Sequence, residues 1–532
     1  MANFFSTSTV GEKALIDPFP TAASTMLQVK DEKESPKSSK KGKSAKSKSP
    51  ASKGAVANGK AKSTKSANGA VVPAVSEKKT ANEHVNPSWG RFNSGTWLGV
   101  IGCGGIIAIC PVLVILINIA LFHFHGSLIQ VFVSLYNLGP TAFTIKYAPH
   151  YSQTATLGYV AWVVGQIVLY MGLPAKICYG QQTPAGHLLP YHINGMSAWV
   201  VSHAAYAIGS YYGVIHPSLI ARNWEGLIVA FNMYGFVLPL FAYIKAHLAP
   251  THLDDRKFSG SIIYDYYMGI EFNPRIGKWF DFKLFHNGRP GIVMWTLINL
   301  SFAAYQYELH GYITKSMIVV NILHAYYVID FFINEDWYLR TIDICHDHYG
   351  FYLAWGSMVW LPTTYTLQAQ YLARNPYDLS NMGTAILLAT GTFGYVVFRL
   401  VNNQKDLARK TQGDCIIWGK KAEVIKAKYN TADGKEHETI LLCSGWWGVV
   451  RHANYLGDLI LSYSECAAAG LAMYGGTQEW TFTLLPWTYA IFMTILLIQR
   501  CIRDEERCSG KYGKTWDEYC NKVRWRLIPG IF

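Results

Sequence analysis

The stretch WLGVIGCGGIIAICPVLVILINIALF, residues 97–122, runs for 26 residues without a charged side chain. As a helix rising about 1.5 Å per residue it reaches about 39 Å, more than the roughly 30 Å of a bilayer's hydrocarbon core. A run this apolar satisfies its backbone polar groups internally as a membrane helix. Similar runs recur near 155–175, 196–214, 226–246, 291–308, 315–334, 349–372, 383–401, 456–474 and 481–499. The region 127–146, interrupted by Gly139 and Pro140, is expected to be an interfacial or re-entrant piece. The predicted fold class is therefore all-α, a polytopic integral membrane protein with about ten transmembrane helices.

Composition agrees. Of 532 residues, 50% are hydrophobic and 15% charged, against roughly 25% charged in soluble domains, and mean hydropathy is +0.11. Wholly soluble, collagenous and fully disordered classes are excluded. The net charge of +13 is uneven: residues 1–90 hold fifteen Lys, no Arg and seven acidic residues, +8, leaving 13 − 8 = +5 for the rest. Lys, Ser, Ala and Gly dominate from about Asp31 to Lys79, too little apolar surface to offset chain entropy. Two units are expected, a disordered Lys/Ser-rich cytosolic tail (1–90) and a membrane domain (91–532). No aromatic residues interleave with the lysines to stack on bases, so no nucleic-acid partner is expected. Residues 1–25 do not read as a secretory signal. The Lys-rich N-terminus and the cluster Arg500, Arg503, Arg507 and Lys511 put both ends in the cytosol, which an even number of spans satisfies. Ten scattered cysteines without a CxxC pair argue against a zinc cluster or a disulfide framework.

Two polar stretches interrupt the spans, His247 to Pro290 and Asn402 to about Tyr455. The segment NILHAYYVIDFFINEDWYLRTIDICHDHYGFYLAWG (321–356) gathers ionisable groups at the end of an apolar run. Such groups are expensive at membrane depth and mark functional sites. Tyr327, Asp330 and Asn334 share one helical face, and Asp343 and Asp347 are spaced i, i+4. Carboxylates, imidazoles and phenols together can move a proton. The candidate acids are Tyr327, Asp343 and His346, with Glu335 or Asp347 behind them. An iron-binding histidine box is not expected, because the only close pair is His346 and His348, and no metal site is predicted.

Lys405 and Arg409 are spaced i, i+4 after a span, and SGWWGVVRHANYLGD (444–458) brings Trp446, Trp447, Arg451, Asn454 and Tyr455 to the mouth of the next. In IQRCIRDEERCSGKYG (498–513), Arg500, Arg503 and Arg507 form one face and Asp504, Cys508 and Tyr512 its neighbour. Arginines grip phosphates bidentately, aromatics stack on rings and amides bond to them, which is the inventory a dinucleotide needs. GxGxxG is absent and no strand–helix pattern surrounds these residues, so no Rossmann domain is expected. A nucleotide would be held by membrane helices and their loops, mainly in 400–532.

With GSIIYDYYMGIEFNPRIGKWFDFKLFHNGRPGI (260–292) and LIQRCIRDEERCSGKYG (497–513), the chain resembles the sterol reductases of the ergosterol and cholesterol pathways from about Trp97 to Phe532. The runs WYLRTIDICHDHYGFYLAWG and FRLVNNQKDLARKTQGDCIIWG and the terminal PGIF resemble the branch that reduces the carbon 7–8 double bond of 5,7-diene sterols. The alternatives are a delta-14 reductase and a sterol-binding scaffold like the lamin B receptor. The resemblance implies an enzyme of the endoplasmic reticulum membrane that takes a sterol from the bilayer, touches membrane lipid, and can contact other sterol-pathway enzymes. It implies NADPH as cofactor, with Lys405 and Arg409 on its phosphates, Leu442 and Trp447 beside its rings, and Asn454, Tyr455, Asp504, Cys508, Tyr512 and Tyr519 around it. Arg451, Arg503 and Arg507 are added on charge alone.

Overall fold

The computed structural model describes residues 96–181, 183, 185–430, 436–470 and 484–532. The expected tail 1–90, and residues 471–474 and 481–483 of the last two expected spans, lie outside the described residues.

Among the described residues, seven helices are long and apolar enough to cross a membrane: α1 (Trp97–His123), α2 (Leu128–Tyr147), α3 (Gln153–Gly172), α5 (Trp224–Leu248), α7 (Lys315–Ile333), α8 (Asn381–Lys410) and Leu485–Tyr512, most of which is α10 (Thr488–Tyr512). Three further helices cover expected spans: α4 (Gly195–Tyr211), α6 (Pro290–His310) and α9 (Ala453–Gly470).

The interruption expected within 127–146 is present: the helical stretch α2 is broken at Gly139, with 128–138 on one side and 140–147 on the other. It kinks where Gly139 takes φ +74° before Pro140, since a residue preceding proline is pushed out of the right-handed helical region. The expected span at 349–372 is broken into Phe351–Trp355, a π-helical turn over Gly356–Trp360, Leu361–Thr364 and Leu367–Arg374. Pro362 removes the N–H that would bond to the Met358 carbonyl and crowds that oxygen, so the turn widens.

The last three membrane helices build the functional end. α8 packs most extensively against α9. Gly394 and Gly457 lie at their crossing: a Cβ on Gly394 would sit 2.7 Å from the Leu461 nitrogen and 2.8 Å from the Gly457 carbonyl. Only hydrogen fits there, as in close helix crossings within membranes. Beyond α8, strands β1 (Val424–Asn430) and β2 (Glu436–Leu442) form an antiparallel hairpin. The hairpin buries Ile425, Ala427 and Leu441 against Cys508 of α10 and against Trp516 and Tyr519 of α11 (Lys514–Lys522). Ile440 and Leu442 face the other way, onto Val397, Val401, Ala408 and Trp447.

The polar stretch 247–290 is an architectural clasp. Arg275 donates to Asp281 at 2.9 Å and to the carbonyls of Pro190 and Lys278 at 2.7 and 2.9 Å. Asp281 in turn caps the helix Phe282–Gly288 by accepting from Leu284 N at 2.7 Å. Buried Lys283 donates to the carbonyls of Ile344 and Asp347 at 2.8 and 2.7 Å, fixing the loop that carries His346 and Asp347. Burial pushes the Lys283 ammonium down to about 8, against the opposing pull of Asp281 and Asp347.

Candidate functional site

Two polar clusters meet at the end of the bundle where α8, α9 and α10 converge. In the first, Lys405 on the last turns of α8 sets its ammonium 4.1 Å from the Trp447 ring centroid. The Trp447 indole donates to the Val401 carbonyl at 2.8 Å, so its orientation is fixed. Arg409 lies one turn further along α8. Arg507 and Lys511 approach from α10, and these four cations act on one another electrostatically. Arg507 donates to the Asp504 carboxylate at 3.2 and 2.5 Å. Four basic side chains brought together by the fold in this way suit a polyanionic ligand.

The remaining residues expected around a cofactor share this region. Asn454 and Tyr455 open α9, and His452 stacks on Tyr455 with ring centroids 5.1 Å apart. Among the described residues, Asn454 Oδ1 and His452 Nε2 are buried without a hydrogen-bond partner. Burial pushes His452 down to about 4. Leu442, Cys508 and Tyr519 are buried packing positions, and Tyr512 borders the same cluster. Burial raises the Tyr519 phenol well above its usual range.

Arg451 has a different setting. It donates to Glu505 at 3.0 and 2.5 Å and to the carbonyls of Val523 and Arg524 at 2.7 and 3.0 Å, and Arg526 holds the other Glu505 oxygen at 2.8 Å. It ties α9 to the C-terminal segment. Arg503 faces the second cluster, donating to Asp347 at 2.7 Å.

That second cluster joins α10 to the 342–347 loop. Arg500 donates to both oxygens of Asp343, at 3.0 and 2.9 Å. His346 Nδ1 lies 3.0 Å from Asp347 Oδ1. Burial pushes the Asp347 carboxyl up, but the His346 hydrogen bond and the Arg503 guanidinium outweigh it and hold it well below the usual carboxylate range. Asp343 and Asp347 are thus counter-ions. Glu335 is too: fully buried, it pairs with Arg289 and accepts from Gly195 N at 2.8 Å. Asp330, on the same helix as Tyr327, is held by Arg399 and by Tyr395 at 2.9 Å.

Tyr327 stands apart from these pairs. Its ring lies 5.4 Å from that of Trp295, which in turn is 5.2 Å from Tyr365, and Tyr365 is 4.7 Å from Tyr489. These four rings form an aromatic wall between α6, α7 and α10, next to Arg500. π-Faces favour positive charge, so such a wall can stabilise a cation where water is excluded. Sequence reasoning passed over two elements here. One is the wall itself, whose residues come from separate helices. The other is Asp458, which ends the quoted 444–458 stretch and whose signal was a carboxylate inside an apolar helical run.

The profile of the ergosterol biosynthesis ERG4/ERG24 family matches residues 97–532. Among curated proteins, the chain is 48% identical over 480 residues to the 7-dehydrocholesterol reductase of Danio rerio, covering 88% of this chain and 97% of that protein. It is 46% identical over 472 residues to the 7-dehydrocholesterol reductase of Xenopus laevis, covering 86% and 98%. A delta(14)-sterol reductase of Methylotuvimicrobium alcaliphilum is 38% identical over 379 residues, covering 70% and 82%.

Proposed function

The chain belongs to the ergosterol biosynthesis ERG4/ERG24 family, and from that premise we propose that it is a sterol reductase acting on the carbon 7–8 double bond of 5,7-diene sterols, using NADPH. The observation that carries this reading is the juxtaposition of four clustered cations with an apolar aromatic wall, one suited to a charged nucleotide and the other to a sterol. The relatives with the higher identities, at 48% and 46%, bear the 7-dehydrocholesterol reductase name.

When bound, NADPH supplies the hydride. Lys405 and Arg409 would hold its phosphates, and Trp447, Leu442, Asn454, Tyr455, Asp504, Cys508, Tyr512 and Tyr519 would surround the rest. The four clustered basic side chains and the orphaned Asn454 amide oxygen fit such a guest. The aromatic wall would exclude water around the reacting sterol. Protonation at carbon 8 leaves an allylic cation over carbons 5 to 7, which the π-faces of Trp295, Tyr327 and Tyr365 would favour, and reduction at carbon 7 then yields the delta-5 alkene. The sterol would enter from the bilayer. The enzyme would lie in the endoplasmic reticulum membrane beside other sterol-pathway enzymes, with both ends cytosolic and residues 1–90 an accessory tail.

The test is sterol analysis by mass spectrometry in membranes of a reductase-null host expressing the chain. Conversion of 7-dehydrocholesterol to cholesterol with NADPH is expected. Consumption of an 8,14-diene instead would assign the delta-14 reaction, and inertness toward both would leave a sterol-binding scaffold. Loss of activity on removing residues 1–90 would make the tail essential rather than accessory.

A further inference from the structure

Nearly every buried carboxyl in the described residues is answered by a cation or a hydrogen-bond donor. Asp255 meets His187, Asp265 meets Ser259 N, Glu271 meets Lys245, and Asp281 meets Arg275. Asp330 meets Arg399, Glu335 meets Arg289 and Asp347 meets Arg503, whereas Glu465 Oε2, 3.4 Å from His324 Nε2, makes no hydrogen bond. Asp458, two turns before Glu465 on α9, is the other exception. It is buried, at 8% exposure, and among the described residues it makes neither an ion pair nor a hydrogen bond.

Its position is specific. Asp458 lies three residues beyond Tyr455 and four beyond Asn454, one turn of α9 deeper than the residues proposed to surround the cofactor. The Gly394–Gly457 crossing fixes this turn of α9 against α8, whose facing groups at this level are Gly394 and Phe398. From the other elements, the phenols of Tyr327, Tyr365 and Tyr489 and the guanidinium of Arg500 stand close enough to feel its charge, as does Glu465 on its own helix. It therefore borders the aromatic wall on the side toward the cation cluster. A carboxyl bordering an aromatic wall and tied up in no ion pair or hydrogen bond is placed where a general acid can reach a substrate.

We propose that Asp458 is the general acid of the reaction, which rests on the sterol reductase reading above. Its O–H bond breaks as a C–H bond forms at carbon 8 of the diene, and the electron pair of the 7–8 double bond makes that bond. Bound NADPH would supply the hydride that closes the allylic cation at carbon 7, becoming NADP+, and the Asp458 carboxylate would then regain its proton from water. The carboxyls that sequence spacing brought forward, Asp343, Asp347 and Glu335, are instead paired with Arg500, Arg503 and Arg289.

The experiment uses the full chain in lipid nanodiscs, with turnover of 7-dehydrocholesterol, NADPH binding and thermal unfolding measured together. Wild-type turnover comes first, and its absence would defeat the reductase reading itself. With the wild type active, Asp458→Asn should lower kcat by about 100-fold or more, as loss of a general acid does, while KM for NADPH and the unfolding midpoint stay close to wild type. Asp458→Glu should recover part of the rate and move the alkaline limb of the kcat profile, where the acid loses its proton. An Asp458→Asn protein that folds, binds NADPH and turns over normally overturns the proposal. If that variant does not fold, an alkaline limb unmoved in Asp458→Glu overturns it instead.

Discussion

Arg500 on α10 holds both oxygens of Asp343, at 3.0 and 2.9 Å, so the helix that ends the bundle is tied to a loop more than 150 residues earlier in the chain. Planar bidentate pairing of this kind depends on the guanidinium fork and cannot be reproduced by an ammonium. Arg500 is 25% and Asp343 14% exposed, so the cost of breaking the pair is discounted below that of a fully buried one. Asp343→Asn should destabilise the protein by about 2 kcal/mol, and Arg500→Lys by somewhat less. Thermal unfolding in detergent checks both. A double-mutant cycle showing no coupling would mean the pair is incidental.

Removing a phosphate-facing cation should act on cofactor affinity before turnover. Arg409→Ala should raise KM for NADPH roughly 10- to 100-fold, the equivalent of one charge-assisted hydrogen bond of about 1.5–3 kcal/mol. Lys405→Met should do the same while also removing the cation that lies 4.1 Å from the Trp447 ring centroid. Steady-state kinetics with saturating sterol measure the effect, and an unchanged KM in both variants would remove these residues from the phosphate site.

His452 makes acid sensitivity testable. Its folded pKa is pushed down to about 4 by burial, whereas in the unfolded chain an imidazole titrates near about 6.5. Between those values the unfolded state binds a proton that the folded state refuses, so stability falls as pH drops from about 6.5 toward 4. Above about 6.5 the residue is neutral in both states and contributes no slope. The difference in unfolding midpoint between wild type and His452→Gln should therefore vary with pH below about 6.5 and be constant above it. Lys283 acts at the other end: with its folded value at about 8, it gives stability rising with pH from about 8 toward 10.5. A wild-type-minus-Lys283→Met difference that is flat across that window would show the ammonium is not destabilised by burial.

The sequence analysis succeeded where information is local. Runs such as 97–122 and 315–334 carry their own length and hydropathy, and both are helices within a residue or so of the reading. Lys405 and Arg409, spaced i, i+4, converge with Arg507 because single helices carry them to the same end of the bundle. What the pattern could not carry is pairing across the chain. Asp343, Asp347 and Glu335 looked alike as acids, and only the folded contacts with Arg500, Arg503 and Arg289 turn them into counter-ions. Arg451 read as a phosphate ligand by charge, but its partners Glu505, Val523 and Arg524 lie 54 to 73 residues away. At 127–146 the Gly-Pro pair is a local signal too, and the helix is broken there, at Gly139.

The Gly394–Gly457 crossing underlies the arrangement of the site, since it sets the depth and rotation of α9 and with them Tyr455 and Asp458. A methyl group on Gly394 would stand 2.7 Å from the Leu461 nitrogen and 2.8 Å from the Gly457 carbonyl, and both obstacles are backbone atoms that cannot swing aside as a side chain would. Gly394→Ala should therefore push the two helices apart and destabilise the fold by about 1–3 kcal/mol, the range for overpacking a close contact. Gly394→Val should cost more. Gly158 on α3 is the matched control, a helical glycine whose added Cβ meets nothing within 4 Å, and Gly158→Ala should be neutral or slightly stabilising through helix propensity. Because α9 shifts as a unit, Gly394→Ala should also lower kcat more than it raises KM for NADPH, whose phosphate-facing cations sit on α8 and α10. Equal unfolding midpoints for Gly394→Ala and Gly158→Ala would show that the helices yield at this crossing and that its closeness does not hold the site together.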